Sequence, residues 1–135
     1  MAGASMSASD PFASGSGSQS GVIDEEHLRR MTLGDRGLER ELLEMFVRQS
    51  ATILDRITGH DPAAIAAAAH TIIGSARGIG AWRMAKAAEQ LERVVDEGNE
   101  KALNEAISAL KSASLEVNTA IDKRFVDPRY ISDCA

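Results

Sequence analysis

From Val22 onward the apolar residues recur at three- and four-residue intervals, interrupted only by short clusters of glycine, proline and capping residues. This pattern constrains the chain more than any other feature, because a run with a period near 3.6 can bury its apolar stripe only as a helix. A short first helix is expected from about Asp24 to Met31, with Asp24 as its cap and Leu28 and Met31 facing inward. Gly34 and Asp35 stop it and cap a long second helix carrying Leu38, Leu42, Met45, Phe46, Ile53, Leu54 and Ile57, with Gly59 just past its end. Asp61-Pro62, a cap followed by a first-turn proline, opens a third helix that ends around Gly78-Ile79-Gly80. A fourth follows with Met84, Ala88, Leu91 and Val95 inward, closed by Gly98. Asn99 caps a fifth, in which Leu103, Ile107, Leu110, Ser114, Val117 and Ile121 repeat at a coiled-coil-like interval, and Pro128 marks its end.

Connections of only a few residues favour antiparallel neighbours. The expected fold is therefore all-α: an up-down-up-down four-helix bundle with a short N-terminal capping helix. Composition agrees, with 22 alanines against five aromatic residues in a chain of 135. Residues 1–21 stand apart, since fourteen of the first twenty are Gly, Ala or Ser and no Lys or Arg precedes Arg29. They are read as a flexible tail, native or added, and they lack the charged start and apolar stretch of a secretory signal. Residues 22–126 form the bundle and 127–135 a short polar tail.

Several classes are excluded at this level. A single cysteine, Cys134, cannot form an internal disulfide. A net charge of −5 is ill suited to binding phosphate backbones. No apolar run approaches the roughly 20 residues that span a bilayer. His27, His60 and His70 show no metal-ligand spacing, so no metal site is expected, and His27 and His60 read as structural or solvated. Trp82 is expected to pack in part near the junction of the third and fourth helices.

The third helix is the informative one. At about 100° per residue, Ile65, Ala69, Ile72, Ala76 and Ile79 fall within roughly 40° of one line, the core face. His70 lies about 140° away, pointing outward among Ala63, Ala66, Ala67, Gly74 and Arg77. Solvent faces are usually lined with long polar side chains, and glycine inside a helix costs about 1 kcal/mol relative to alanine. The low ground around His70 therefore suits the close approach of another molecule. Arg77, within about 20° of His70 on the wheel and two turns further along, offers a charged fork suited to phosphate oxygens.

The string Ala69-His70-Thr71-Ile72-Ile73-Gly74-Ser75-Ala76-Arg77-Gly78-Ile79-Gly80 closely resembles the phosphoacceptor motif of histidine-containing phosphotransfer (HPt) domains. The similarity runs from about Ile23 to Phe125 and includes the turn after Gly78 and Leu91-Glu92 on the next helix. The resemblance implies a monomeric, cytoplasmic four-helix bundle that carries a phosphoryl group on Nε2 of His70. It further implies exchange of that group with aspartates of response-regulator receiver domains, that of a hybrid histidine kinase among them. No cofactor is then needed on this chain, because Mg²⁺ and the acidic residues belong to the receiver. Members commonly carry lysine three residues after the histidine, where this chain has Ile73. Two accounts follow from that departure: Ile73 adds apolar contact to the receiver while Arg77 supplies the charge, or the domain binds receivers with impaired transfer. On the first account Ala63, Ala66, Ala67, Ile73, Gly74 and Arg77 form the docking surface. The chain shows no P-loop and no Gly-rich ATP lid, which points to a carrier and not a kinase. The competing class is a helical docking module that binds receivers without being phosphorylated.

Overall fold

The computed structural model describes residues 22–57 and 61–126, and all its regular secondary structure is helical. The expectations for the tail 1–21, Gly59, His60, Pro128, Cys134 and the segment 127–135 lie outside the described residues. The elements are α1 (Glu25–Met31), α2 (Arg36–Ile57), α3 (Pro62–Ile79), α4 (Trp82–Val94) and α5 (Glu100–Phe125). Each long helix packs on the next, α5 returns to α2, and α1 rests on α3. No strand occurs among the described residues.

The boundaries follow capping chemistry. Asp24 accepts the His27 N–H at 3.1 Å, Asp61 accepts that of Ala64 at 2.8 Å, and Asn99 accepts that of Ala102 at 3.0 Å. Each satisfies a donor that the first helical turn would otherwise leave unpaired. Asp35 does the same for α2 through the Leu38 N–H at 3.0 Å. Gly34 and Gly98 hold positive φ between elements, as their places in the sequence require.

The buried seam of α2 differs from the expected stripe. Leu43, Phe46, Ser50, Ile53 and Ile57 are buried, whereas Leu38 and Met45 are exposed, as is Met31 at the end of α1. The buried positions alternate three and four apart, and the hydroxyl of Ser50 interrupts their apolar reading. That polar residue is accommodated because it donates to the Val47 carbonyl at 3.3 Å. Ser114 occupies a matching place in α5, buried between Leu110 and Val117, and here the expected seam includes it. Thr32 is also fully buried and donates its hydroxyl to the Leu28 carbonyl at 2.9 Å, and around these three polar residues Leu28, Leu43, Ile72, Met84, Leu91 and Leu110 are fully buried.

Both α3 and α4 bury alanines. Ala69, Ala76, Ala85 and Ala88 are buried, and these two helices form the most extensive helix pair in the structure. Side chains reduced to a methyl group let helix axes approach closely.

Asp24 locks α1 to the α3–α4 turn. Besides capping α1, its carboxylate accepts the Trp82 indole N–H at 2.9 Å, and its backbone N–H donates to the Gly80 carbonyl at 2.9 Å. Trp82 in turn meets His27 edge-on, with ring centroids 4.9 Å apart. Arg124 ties the other helices together, pairing from α5 with Glu25 of α1 and, at 3.3 Å, with Glu39 of α2. Burial raises the Glu39 pKa in spite of the Arg124 charge.

Gly80 closes α3 at φ +79°, and a Cβ there would meet Asp24 Cβ at 2.9 Å and the Asp24 carbonyl oxygen at 3.0 Å. Gly80→Ala is expected to destabilise the fold by about 2 kcal/mol or more through left-handed strain and loss of this approach. A urea denaturation midpoint equal to wild type would contradict that. Asp24 is a second test point. Partial burial pulls its pKa up, but the bonds from Trp82 and His27 N–H and the His27 charge outweigh it, so the net shift is downward. A lowered folded-state pKa adds stability above the unfolded value and loses it as pH falls through the folded one. Asp24→Asn is therefore expected to be less stable than wild type at about pH 7, with the difference closing as pH falls below 3.8. Equal urea midpoints at both ends of that range would remove the linkage.

Candidate functional site

His70 sits in the middle of α3 with its side chain 78 % exposed. The turn below it is built to be low: Ala63 and Ala67 are exposed, Ala66 is half-buried, and a Cβ added at Gly74 would meet no other atom within 4 Å. Gly74 thus answers no packing demand inside the chain. It leaves an open patch of backbone one turn from the imidazole.

The flank of α3 opposite this collar is covered by α4, which the helical wheel of a single element cannot reveal. The two helices enclose an open depression lined by His70, Ile73, Arg77, Glu89, Glu92 and Arg93. Ile73, expected on the exposed docking rim, is 7 % exposed and lies among the core residues. The wheel places it about 60° from His70, on the boundary of the two faces, and the arrival of α4 turns that boundary into interior. Arg77 lines the depression and is ion-paired across the helices with Glu89. Its charge is therefore partly engaged within the chain.

Glu92 is the residue whose role the wheel does not supply. Its Oε2 lies 3.3 Å from Nδ1 of His70, 22 positions away in sequence and within reach to accept the Nδ1 proton. A carboxylate at one ring nitrogen selects the tautomer protonated there and leaves a lone pair on the other. With Nδ1 directed at α4, Nε2 is the free nitrogen of an exposed ring. Glu92 and His70 are both substantially exposed, so the contact contributes little to stability. A hint existed in the sequence, since Glu89 and Glu92 share a face of α4 three residues apart. Only the α3–α4 contact says which face of the partner they meet.

The other histidine within the described residues has different surroundings. His27 is half-buried against Trp82, and its Nε2 has no hydrogen-bond partner. Among the described residues no group of three or more His, Cys, Asp or Glu side chains could hold a metal ion, and no helix is long and apolar enough to cross a membrane.

The ring orientation can be checked by ¹⁵N NMR of the imidazole. In wild type the neutral His70 ring is expected to populate mainly the Nδ1–H form. Glu92→Ala should shift it toward Nε2–H, and Glu92→Gln, which keeps an acceptor oxygen, should largely retain the wild-type signature. Identical spectra for Glu92→Ala and wild type would show that the carboxylate does not orient the ring.

One comparison with known proteins bears on these helices. A protein-family model, the Hpt domain, matches residues 41–122, from the second turn of α2 to the last turns of α5, with His70, Gly74, Arg77 and Glu92 inside the match. No curated protein and no solved structure gives a significant match to the chain. The family match spans more than half of the sequence and coincides with the helices that build the depression, and the chain belongs to the HPt domain family, whose members serve histidine phosphotransfer in two-component systems.

Proposed function

We propose that this chain is a phosphorelay carrier that accepts a phosphoryl group on Nε2 of His70 and exchanges it with an aspartate of a response-regulator receiver domain. The observation that carries the reading is the pairing of an exposed ring with a carboxylate at Nδ1, which leaves Nε2 as the nucleophile. In the forward step the Nε2 lone pair attacks phosphorus of the aspartyl phosphate. The N–P bond forms as the P–O bond breaks, and the aspartate leaves as a carboxylate with the bonding electron pair. The ring keeps its Nδ1 proton and becomes cationic, and Glu92 faces that developing charge at 3.3 Å. The same path run backwards returns the phosphoryl group to a receiver.

Phosphoryl transfer of this kind needs positioning and charge stabilisation more than covalent help from the protein. The receiver supplies Mg²⁺ and its own acidic residues, and this chain supplies the nitrogen on a rigid helix. Ala63, Ala66, Ala67 and Gly74 form low ground over which a receiver brings its aspartyl phosphate in line. Ile73 contributes the floor of the site, and Arg77 its rim through Glu89. In this reading the carrier unit is the bundle of residues 22–126, its four long helices run up-down-up-down, and it works as a cytoplasmic monomer without catalysis of its own.

The test is incubation with a receiver domain charged with acetyl phosphate, followed by ³¹P NMR and by acid and base treatment. Wild type should acquire an acid-labile, base-stable label with a P–N chemical shift, and His70→Gln should lose it by at least about 100-fold. Equal labelling of His70→Gln would overturn the assignment. A chain that binds the receiver yet stays unlabelled would be the non-phosphorylated docking module instead.

A further inference from the structure

The depression beside His70 holds two carboxylates and two guanidinium groups, and they are not equally engaged. Glu92 is directed at Nδ1 of His70 and Glu89 is paired with Arg77. Arg93 bonds only a neutral group, donating to the Gln90 amide oxygen at 2.6 Å, and among the described residues it has no carboxylate partner. Ile73 contributes no donor at all.

A phosphoryl group on Nε2 places a charge of about −1.5 to −2 on its oxygens, which the cationic ring offsets only in part, in a site that already contains two carboxylates. It needs a cation. Arg77 could serve only by leaving Glu89, which would strand a third negative centre beside the incoming one. Arg93 can turn from a neutral amide to the phosphoryl oxygens without stranding any charge, and its planar fork matches two of those oxygens.

Resting on the carrier reading above, we propose that Arg93 of α4 is the phosphoryl-binding cation of this site, while Arg77 stays on Glu89 as a positioning residue. The two arginines would then have separate tasks. Arg77 holds Glu89 away from the phosphoryl group, and Arg93 neutralises the group itself.

The experiment uses the full chain and phosphoramidate, a small P–N donor that needs no partner protein. Phosphorylation rate and the pH titration of the ³¹P signal are followed in wild type, Arg93→Ala, Arg93→Lys and Arg77→Ala. Loss of the Arg93 contact should slow phosphorylation about 3- to 10-fold in Arg93→Ala, with partial rescue in Arg93→Lys. The midpoint of the ³¹P titration should rise in Arg93→Ala, because a neighbouring cation favours the dianion, and should move less in Arg77→Ala. A merely structural role for Arg93 would leave that midpoint in place. Normal labelling at His70 with an unmoved midpoint in Arg93→Ala overturns the Arg93 assignment and leaves the carrier reading intact. A wild-type chain that forms no P–N bond overturns the carrier reading, and this assignment with it.

Discussion

The close packing of α3 on α4 is the contact on which the site depends. Alanines on both helices, Ala69 and Ala76 on one and Ala85 and Ala88 on the other, are buried in the core. Because these side chains are small, the polar residues flanking the seam are brought within reach across it. Glu92 meets His70 and Glu89 meets Arg77 across this pair of helices. Larger side chains in the seam would separate the helices and break both pairs while leaving each helix intact.

The rest of the molecule holds that pair of helices in place. The Gly80 turn sets the step from α3 to α4, and Asp24 is pressed against it so closely that a side chain at Gly80 would collide. One carboxylate therefore caps α1, receives the Trp82 indole and anchors the start of α1 beside the turn. Arg124 completes the arrangement by pairing with both α1 and α2. The His70 ring itself stands clear of this network and is 78 % exposed. Rigidity is placed beneath the site and openness above it.

Much of this was legible in the residues, for identifiable reasons. Capping chemistry is local, so Asp24, Asp61-Pro62, Gly80 and Asn99 marked boundaries that the structure reproduces. His70 was placed on the solvent side of α3 because five apolar residues define the opposite face without ambiguity. The stripe on α2 was displaced, since the buried Ser50 hides a seam whose flanking neighbours, Leu38 and Met45, are apolar yet exposed. Ile73 was misplaced by the same limit from the other side. A residue on the boundary of a wheel is buried or exposed according to a neighbour that the wheel does not contain.

By itself, then, the sequence determined the helices, their caps, the exposed histidine and the low ground around it, because each depends on residues within a few turns of one another. The packing of α3 on α4 brings a carboxylate to Nδ1 of His70 and distributes the charges around the ring. Those properties depend on Glu89, Glu92 and Arg93, which lie on a different helix and reach the site only when α3 and α4 pack. Helical periodicity specifies which way a side chain points along its own axis. It carries no information on what stands opposite.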